Sequence, residues 1–383
     1  MTDDTRRIGT ARMPGMVPAG LILLIVGGMF ACGIGQASRS QVAERIDGLL
    51  SDEYPSDKPG AAVLAARGGS IILKKGFGLA DIERKTPATS ATVFRLASVT
   101  KMIAGMAVLT LAGKGQLALN DPVTKFLPDS PAAWSHITVR HLLSHTAGLP
   151  DYLDRPDSMA WARSEHTVTD LIDAFRGKAA SFAPGDKAVY SNSNYILLGA
   201  ILEKVSGVSF GRFVKANIFE PLGMTSTSCE GRFDGIPGLA AAYEPARAPD
   251  GQLDWSRLLV ARPYTMSALY TAGACVSSIE DLARFHEGLA GGKVVEERAL
   301  AESFEPARLA NGSADAMAAG GWQLDRIAGH RAVMHGGALP GVCTWFLMMP
   351  DEDILVILLS NRTPGKPRCG MLAVEIARIV AAN

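Results

Sequence analysis

The chain has no excess of charge of either sign: 38 Lys and Arg face 38 Asp and Glu in 383 residues. The signs are interspersed, which argues against a basic surface for nucleic acid and against an acidic interaction tail. Cysteine is scarce as well, five residues in all. Cys229, Cys275, Cys343 and Cys369 lie far apart with no C-x-x-C pair, so no metal site of that kind is expected. Sequence gives no disulfide pairing, and these four read as small apolar core positions. There is no internal repeat, which excludes solenoids and propellers. The one long uncharged run is N-terminal. Arg6, Arg7 and Arg12 precede a stretch from Val17 to Ala37 built around LILLIVGGMFACGIG, a positive region followed by an apolar one. Residues 1–37 are expected to be a signal peptide, with Gly35 and Ala37 as the small residues before cleavage, or a membrane anchor. Lipidation at Cys32 is a weaker alternative, because Met29-Phe30-Ala31 fits poorly before a lipidated Cys. Signal, anchor and lipid anchor all put the body of the protein, residues 38–383, in the periplasm or outside the cell. Without residues 1–37 the balance is 35 basic against 36 acidic residues.

What the chain does have is length for a sizeable core and an ordered alternation of signals. Ala61–Ala66 and Ser70–Lys75 are short apolar runs joined by Arg67-Gly68-Gly69, the pattern of a β-hairpin. Helical patterns then dominate: from Ser98 to a glycine stop near Gly113–Gly115, then around 139–145, 168–175, 195–205 and 210–218. Strand signals return at 332–334, 342–349 and 354–360, followed by a helix from about 371 to 381. This order predicts an α+β fold. One antiparallel sheet is built from both chain ends, about 41–97 and 268–383, flanked by helices, with a mainly helical inserted part over about 98–267. The crevice between sheet and insertion is the expected place for a site.

Ser98-Val99-Thr100-Lys101 is the only S-x-x-K in the chain. If a helix starts at Ser98, hydroxyl and ammonium lie one turn apart on one face, at the positive end of the helix dipole. A weak nucleophile needs a partner to take its proton, and backbone N–H groups at a helix start can stabilise an oxyanion. The bland alternative is an N-capping Ser and a surface Lys. Tyr190-Ser191-Asn192 is the only Y-x-N, just before a helical pattern. His335-Gly336-Gly337-Ala338 ends a β-like run.

Together these three segments resemble the motifs of the serine β-lactamase and penicillin-binding protein superfamily, most closely its class C-like serine hydrolase branch. FRLASVTK, ITVRHLLSHTAGLPDY, PGDKAVYSNSNYILLGAILEKVSG, FEPLGMTSTS, SSIEDLARF and MHGGALPGV follow in that branch's order from about residue 41 to 380. The resemblance implies that Ser98 attacks a carbonyl and carries the acyl group, while Lys101 and Tyr190 share the proton work as a coupled pair. It implies that Asn192 hydrogen-bonds Lys101 and substrate, and that the backbone N–H groups of Ser98 and Ala338 form the oxyanion hole. Gly336 and Gly337 are expected to leave the strand edge clear for substrate. His335 departs from the K-T-G of the β-lactamases themselves. It exchanges a fixed ammonium for an imidazole of ordinary pKa about 6.5, removing a permanent positive charge from beside Tyr190, so His335→Lys is expected to alter the acid limb of a pH–rate profile. Gly336 in place of Thr removes a hydroxyl able to bind a substrate carboxylate.

The reading is thus an exported serine hydrolase with no metal or organic cofactor. Its partner is a small-molecule or peptide substrate with a reactive carbonyl, an ester or a D-amino-acid amide. A class C-like β-lactamase is the first alternative, and an inactive envelope or peptidoglycan-binding protein the second. Two decoys are set aside. Gly207-Val208-Ser209-Phe210-Gly211 matches a nucleophile elbow, but a helical pattern rather than a strand precedes it, so Gly207 reads as a helix stop and Ser209 as an N-cap. His141 and His145 have metal-binding spacing but lack the intervening Glu of a zincin motif, and read as structural. Asp151 and Tyr152 fall in a loop and receive no chemical role.

Overall fold

The computed structural model of the protein describes residues 38–248, 250–262, 264–365 and 369–383. The expected signal or anchor, with its cleavage point at Ala37 and its Cys32, lies outside the described residues. Eight antiparallel strands form the main sheet, in the spatial order Ser70–Phe77, Ala61–Arg67, Ile354–Ser360, Val342–Met349, His330–Leu339, Trp322–Ile327, Ala314–Ala318 and Pro306–Arg308. The early hairpin joins the late strands where Ala61–Arg67 pairs with Ile354–Ser360, so both chain ends build one sheet as expected.

Period-two alternation divides the sheet residues between two cores. Ala62, Leu64, Val333, Phe346, Ile357 and Leu359 face the helical insertion, in one cluster with the Thr100–Gly113 and Asn192–Ser206 helices. Ala61, Val63, Met334, Leu347, Val356 and Leu358 face the Arg39–Glu53 and Cys369–Ala381 helices. Ile354–Ser360 is buried at every residue, which explains why it reads as an unbroken apolar run.

Three local expectations are corrected. The α-helix expected from Ser98 begins at Thr100, after a 3-10 turn over Ala97–Val99, and nearly all its residues are buried. A helix at Arg39–Glu53, started by a Ser38–Gln41 capping box, was not anticipated; its mean hydropathy is negative and its apolar stripe narrow. The strand expected over 332–334 runs on through the glycines to Leu339, because His335 to Leu339 pair in register with Phe346 to Val342.

The cysteines are also corrected. Cys229 is bonded to Cys275 and Cys343 to Cys369, across sequence separations of 46 and 26 residues. Pairing was invisible in the sequence because it depends on which distant elements meet. The second bridge ties the start of the C-terminal helix to the strand beside His330–Leu339. Closing loops of these lengths is worth about 3–4 kcal/mol each in chain entropy. Cys343→Ser should therefore lower the urea midpoint clearly, and an unchanged midpoint would show that this bridge carries no stability.

Candidate functional site

Ser98 sits in the 3-10 turn that leads into the Thr100–Gly113 helix and is half-buried at the mouth of a cleft. Ala97 before it has φ of 48°, a left-handed conformation uncommon for a residue with a Cβ. The turn is clamped from the sheet side. The Leu96 N–H donates to the Cys275 carbonyl at 2.8 Å, and the Leu96 carbonyl accepts from Thr344 Oγ1 at 2.7 Å. Gly337 permits this approach: a Cβ there would lie 2.3 Å from the Leu96 carbonyl oxygen. A Cβ on Gly336 would lie 2.0 Å from the Trp345 ring. Both glycines are thus also required by packing within the protein.

Lys101 is fully buried. Its Nζ lies 2.7 Å from the Ala272 carbonyl, 2.8 Å from Asn192 Oδ1 and 3.1 Å from Ser98 Oγ. Ala272 is in the last turn of the Met266–Gly273 helix, where carbonyls lack intrahelical partners. Burial pushes the Lys101 pKa down to about 7, opposed by the charge of Asp151. A neutral amine has two hydrogens and one lone pair. The Ala272 and Asn192 oxygens can only accept, so the lone pair is left for the Ser98 hydroxyl proton. The Tyr190 hydroxyl donates to Ser98 Oγ at 2.9 Å. Desolvation raises the Tyr190 pKa, which keeps the phenol protonated. In this geometry the amine can accept a proton from Ser98 and the phenol can donate one.

Asn192 opens the Asn192–Ser206 helix, with its amide turned by Asp151. Asp151 Oδ2 accepts from both the backbone N–H and Nδ2 of Asn192, each at 2.8 Å, which leaves Asn192 Oδ1 toward Lys101. Sequence reasoning gave Asp151 no role. The only available signal was its position after Gly148-Leu149-Pro150, and a loop carboxylate shows nothing of its partners. His145 lies under the Tyr190 ring at 4.5 Å between centroids, its Nδ1 accepting from the Ser191 N–H at 3.2 Å. His141 Nδ1 accepts from the Thr138 N–H at 3.2 Å in a helix cap, so the two histidines have separate structural tasks. Ser209 caps the Phe210–Val214 helix, and Gly207 ends the preceding one in a left-handed conformation, as expected.

His335 is buried, with Nδ1 against the Gly336 carbonyl at 2.7 Å. Burial first, then the neighbouring Lys101 charge, push its pKa down to about 3. It is therefore neutral at pH values near 7. Pairing with Trp322–Ile327 ends at Met334, so His335 to Leu339 has no strand on that side among the described residues. Ser98, Asn192 and Ala338 line two cavities, one of about 1340 Å³ and one of about 230 Å³.

The sequence profile described as Beta-lactamase matches residues 50–379. The chain belongs to the β-lactamase family. Penicillin-binding protein 4* of Bacillus subtilis is 33% identical over 314 residues, 78% of this chain and 67% of that protein. The chain spans about two thirds of the length of the curated relatives it matches. The octameric penicillin-binding protein homologue from Pyrococcus abyssi superposes with a TM-score of 0.73 at 25% identity, over 88% of this chain and 76% of that one. D-amino acid amidase from Ochrobactrum anthropi gives a TM-score of 0.73 at 24% identity, over 90% of this chain and 99% of that one, and so shares the fold. This β-lactamase-family protein is a serine hydrolase with an α+β fold of the β-lactamase and transpeptidase type.

Asp151 stabilises the Lys101 ammonium and orients Asn192. Asp151→Asn should therefore shift the acid limb of kcat/KM, which the free amine places near pH 7, to lower pH. Loss of a charged hydrogen bond should also reduce kcat/KM by about 10- to 100-fold. His335→Gln should leave the limb where it is. A limb that moves in His335→Gln and stays in Asp151→Asn would reverse these assignments.

Proposed function

We propose that the protein is an exported hydrolase that cleaves an ester or an amide through an acyl-enzyme on Ser98, as an esterase or D-amino-acid peptidase. The observation that carries this reading is the bridging position of Ser98 Oγ, 3.1 Å from a buried amine and 2.9 Å from a phenol. Ser98 Oγ gives its proton to neutral Lys101 and bonds to the substrate carbonyl carbon, whose oxygen takes the negative charge opposite the Ser98 and Ala338 N–H groups. As the intermediate collapses, the bond to the leaving group breaks and Tyr190 protonates that group, and the Lys101 proton then passes to the Tyr190 phenolate, restoring the neutral amine and the phenol. Water then repeats the sequence on the acyl-enzyme, releasing the acid and restoring Ser98.

The ester and amide classes are favoured over β-lactams by His335 and Gly336. A buried neutral imidazole supplies no fixed positive charge at the strand, and Gly336 supplies no hydroxyl. A D-amino acid amidase among the proteins of like fold supports keeping amides in the class. The arginines and apolar run of residues 1–37 support export, and two disulfides are consistent with an oxidising compartment. The same segment supplies a membrane tether if it is retained.

The test is hydrolysis of a short-chain p-nitrophenyl ester by residues 38–383, beside the Ser98→Ala variant, with intact mass read during turnover. Expected are activity that falls at least about 1000-fold in the variant and an acyl adduct on the parent protein alone. Activity surviving in Ser98→Ala sinks the assignment. A preference for nitrocefin by orders of magnitude would favour the β-lactamase alternative. Inertness toward esters, D-peptides and β-lactams alike would favour a binding role.

A further inference from the structure

The two cavities that meet at Ser98 differ in one respect that bears on substrate. Tyr190 lines the larger one, together with Trp345 and the start of the Cys369–Ala381 helix, and is absent from the smaller one. The leaving group must receive its proton from Tyr190, so it occupies the larger cavity. The acyl portion is then left the smaller cavity, walled by Tyr152, Leu153, Tyr264 and Pro340.

Tyr264 also lines a third cavity of about 290 Å³, whose walls include Arg95, Arg163, Arg232, Glu165 and Asp234. Both acids there are engaged. Arg232 pairs with Glu165 at 3.3 Å and with Asp234 at 3.3 Å, and Glu165 also accepts from the Ser267 hydroxyl. Arg95 and Arg163 are not balanced in this way. Arg95 donates to the Ala240 carbonyl at 3.0 Å and rests 4.8 Å from the Phe233 ring centroid, while its buried Nε has no partner. Arg163 donates to the Arg262 carbonyl at 3.3 Å. Among the described residues neither has a carboxylate at ion-pairing distance. A half-buried guanidinium with no counter-charge is costly, and desolvation lowers the Arg95 pKa to about 10. Arg95 is three residues before Ser98, so their Cα atoms are at most about 10 Å apart.

We propose that Arg95 and Arg163 form an anion subsite beyond Tyr264 that receives a carboxylate carried on the acyl portion of the substrate. The proposal rests on Ser98 as the nucleophile for its placement on the acyl side. It makes the enzyme selective for acyl groups with a negative charge a few bonds from the reacting carbonyl. Arg163 forks toward the carboxylate from the outer wall, and Arg95 meets it from the short strand Phe94–Arg95 just before the nucleophile's turn.

The test compares mono-p-nitrophenyl adipate and suberate with their ω-methyl esters, in the parent protein and in Arg163→Ala. The parent should prefer a free carboxylate by at least about tenfold in kcat/KM, mainly through KM, and the ratio should fall toward one in the variant. Arg163→Lys should restore part of the ratio. Binding of adipate itself to Ser98→Ala, by calorimetry, is the readout independent of turnover: it should be detectable and be weakened at least about tenfold when Arg163→Ala is added. Equal use of both esters by the parent, or adipate binding indifferent to Arg163, overturns the subsite. Failure of the parent to turn over any ester, with Arg163-dependent adipate binding intact, overturns the Ser98 reading and leaves the subsite standing.

Discussion

The burial of one amine governs the architecture of the site. Lys101 is in the first turn of a helix enclosed on all sides, and a permanently charged ammonium there would cost several kcal/mol unless fully compensated. The protein supplies two fixed acceptors, the Ala272 carbonyl and Asn192 Oδ1, and holds Asp151 one residue further out. The result is an amine poised near neutral pH that can hold either protonation state. A closer carboxylate would lock the proton on the amine; the absence of one would raise the cost of taking it up.

That requirement draws in elements from the whole chain. The acceptor carbonyl depends on where the Met266–Gly273 helix ends, and the amide depends on the loop before Tyr152. The nucleophile turn is held to the sheet by Thr344 and by the contact that Gly337 allows. The phenol is braced from below by His145. Chemistry that resides in three short motifs is thus stabilised by residues outside them, and their substitution alters the site without touching substrate.

Specificity has a different origin. The polar centre joins cavities whose walls come from the Cys369–Ala381 helix on one side and from the Tyr152 and Tyr264 loops on the other. These walls can change without disturbing the amine, the amide or the phenol, so one polar centre is compatible with different cavity shapes. The neutral His335 adds to this separation: it shapes the strand beside Ser98 without contributing a titrating charge.

The sequence by itself determined the sheet's origin in both chain ends, the strands at 342–349 and 354–360, and the neighbourhood of Ser98 and Lys101, while the arrival of Tyr190 and Asn192 was what the family resemblance implied. The strands and the Ser98–Lys101 spacing are encoded locally, in alternation over a few residues or in one helical turn. The narrow apolar stripe of Arg39–Glu53 was too weak a local signal to be read. Only the tertiary structure decided the rest. The disulfides Cys229–Cys275 and Cys343–Cys369, the work of Asp151, the packing reason for Gly336 and Gly337, and the protonation states of Lys101 and His335 all depend on distant segments coming together. A pKa reflects burial and neighbours, and a glycine's necessity reflects what presses against it. Neither quantity exists until the chain has folded.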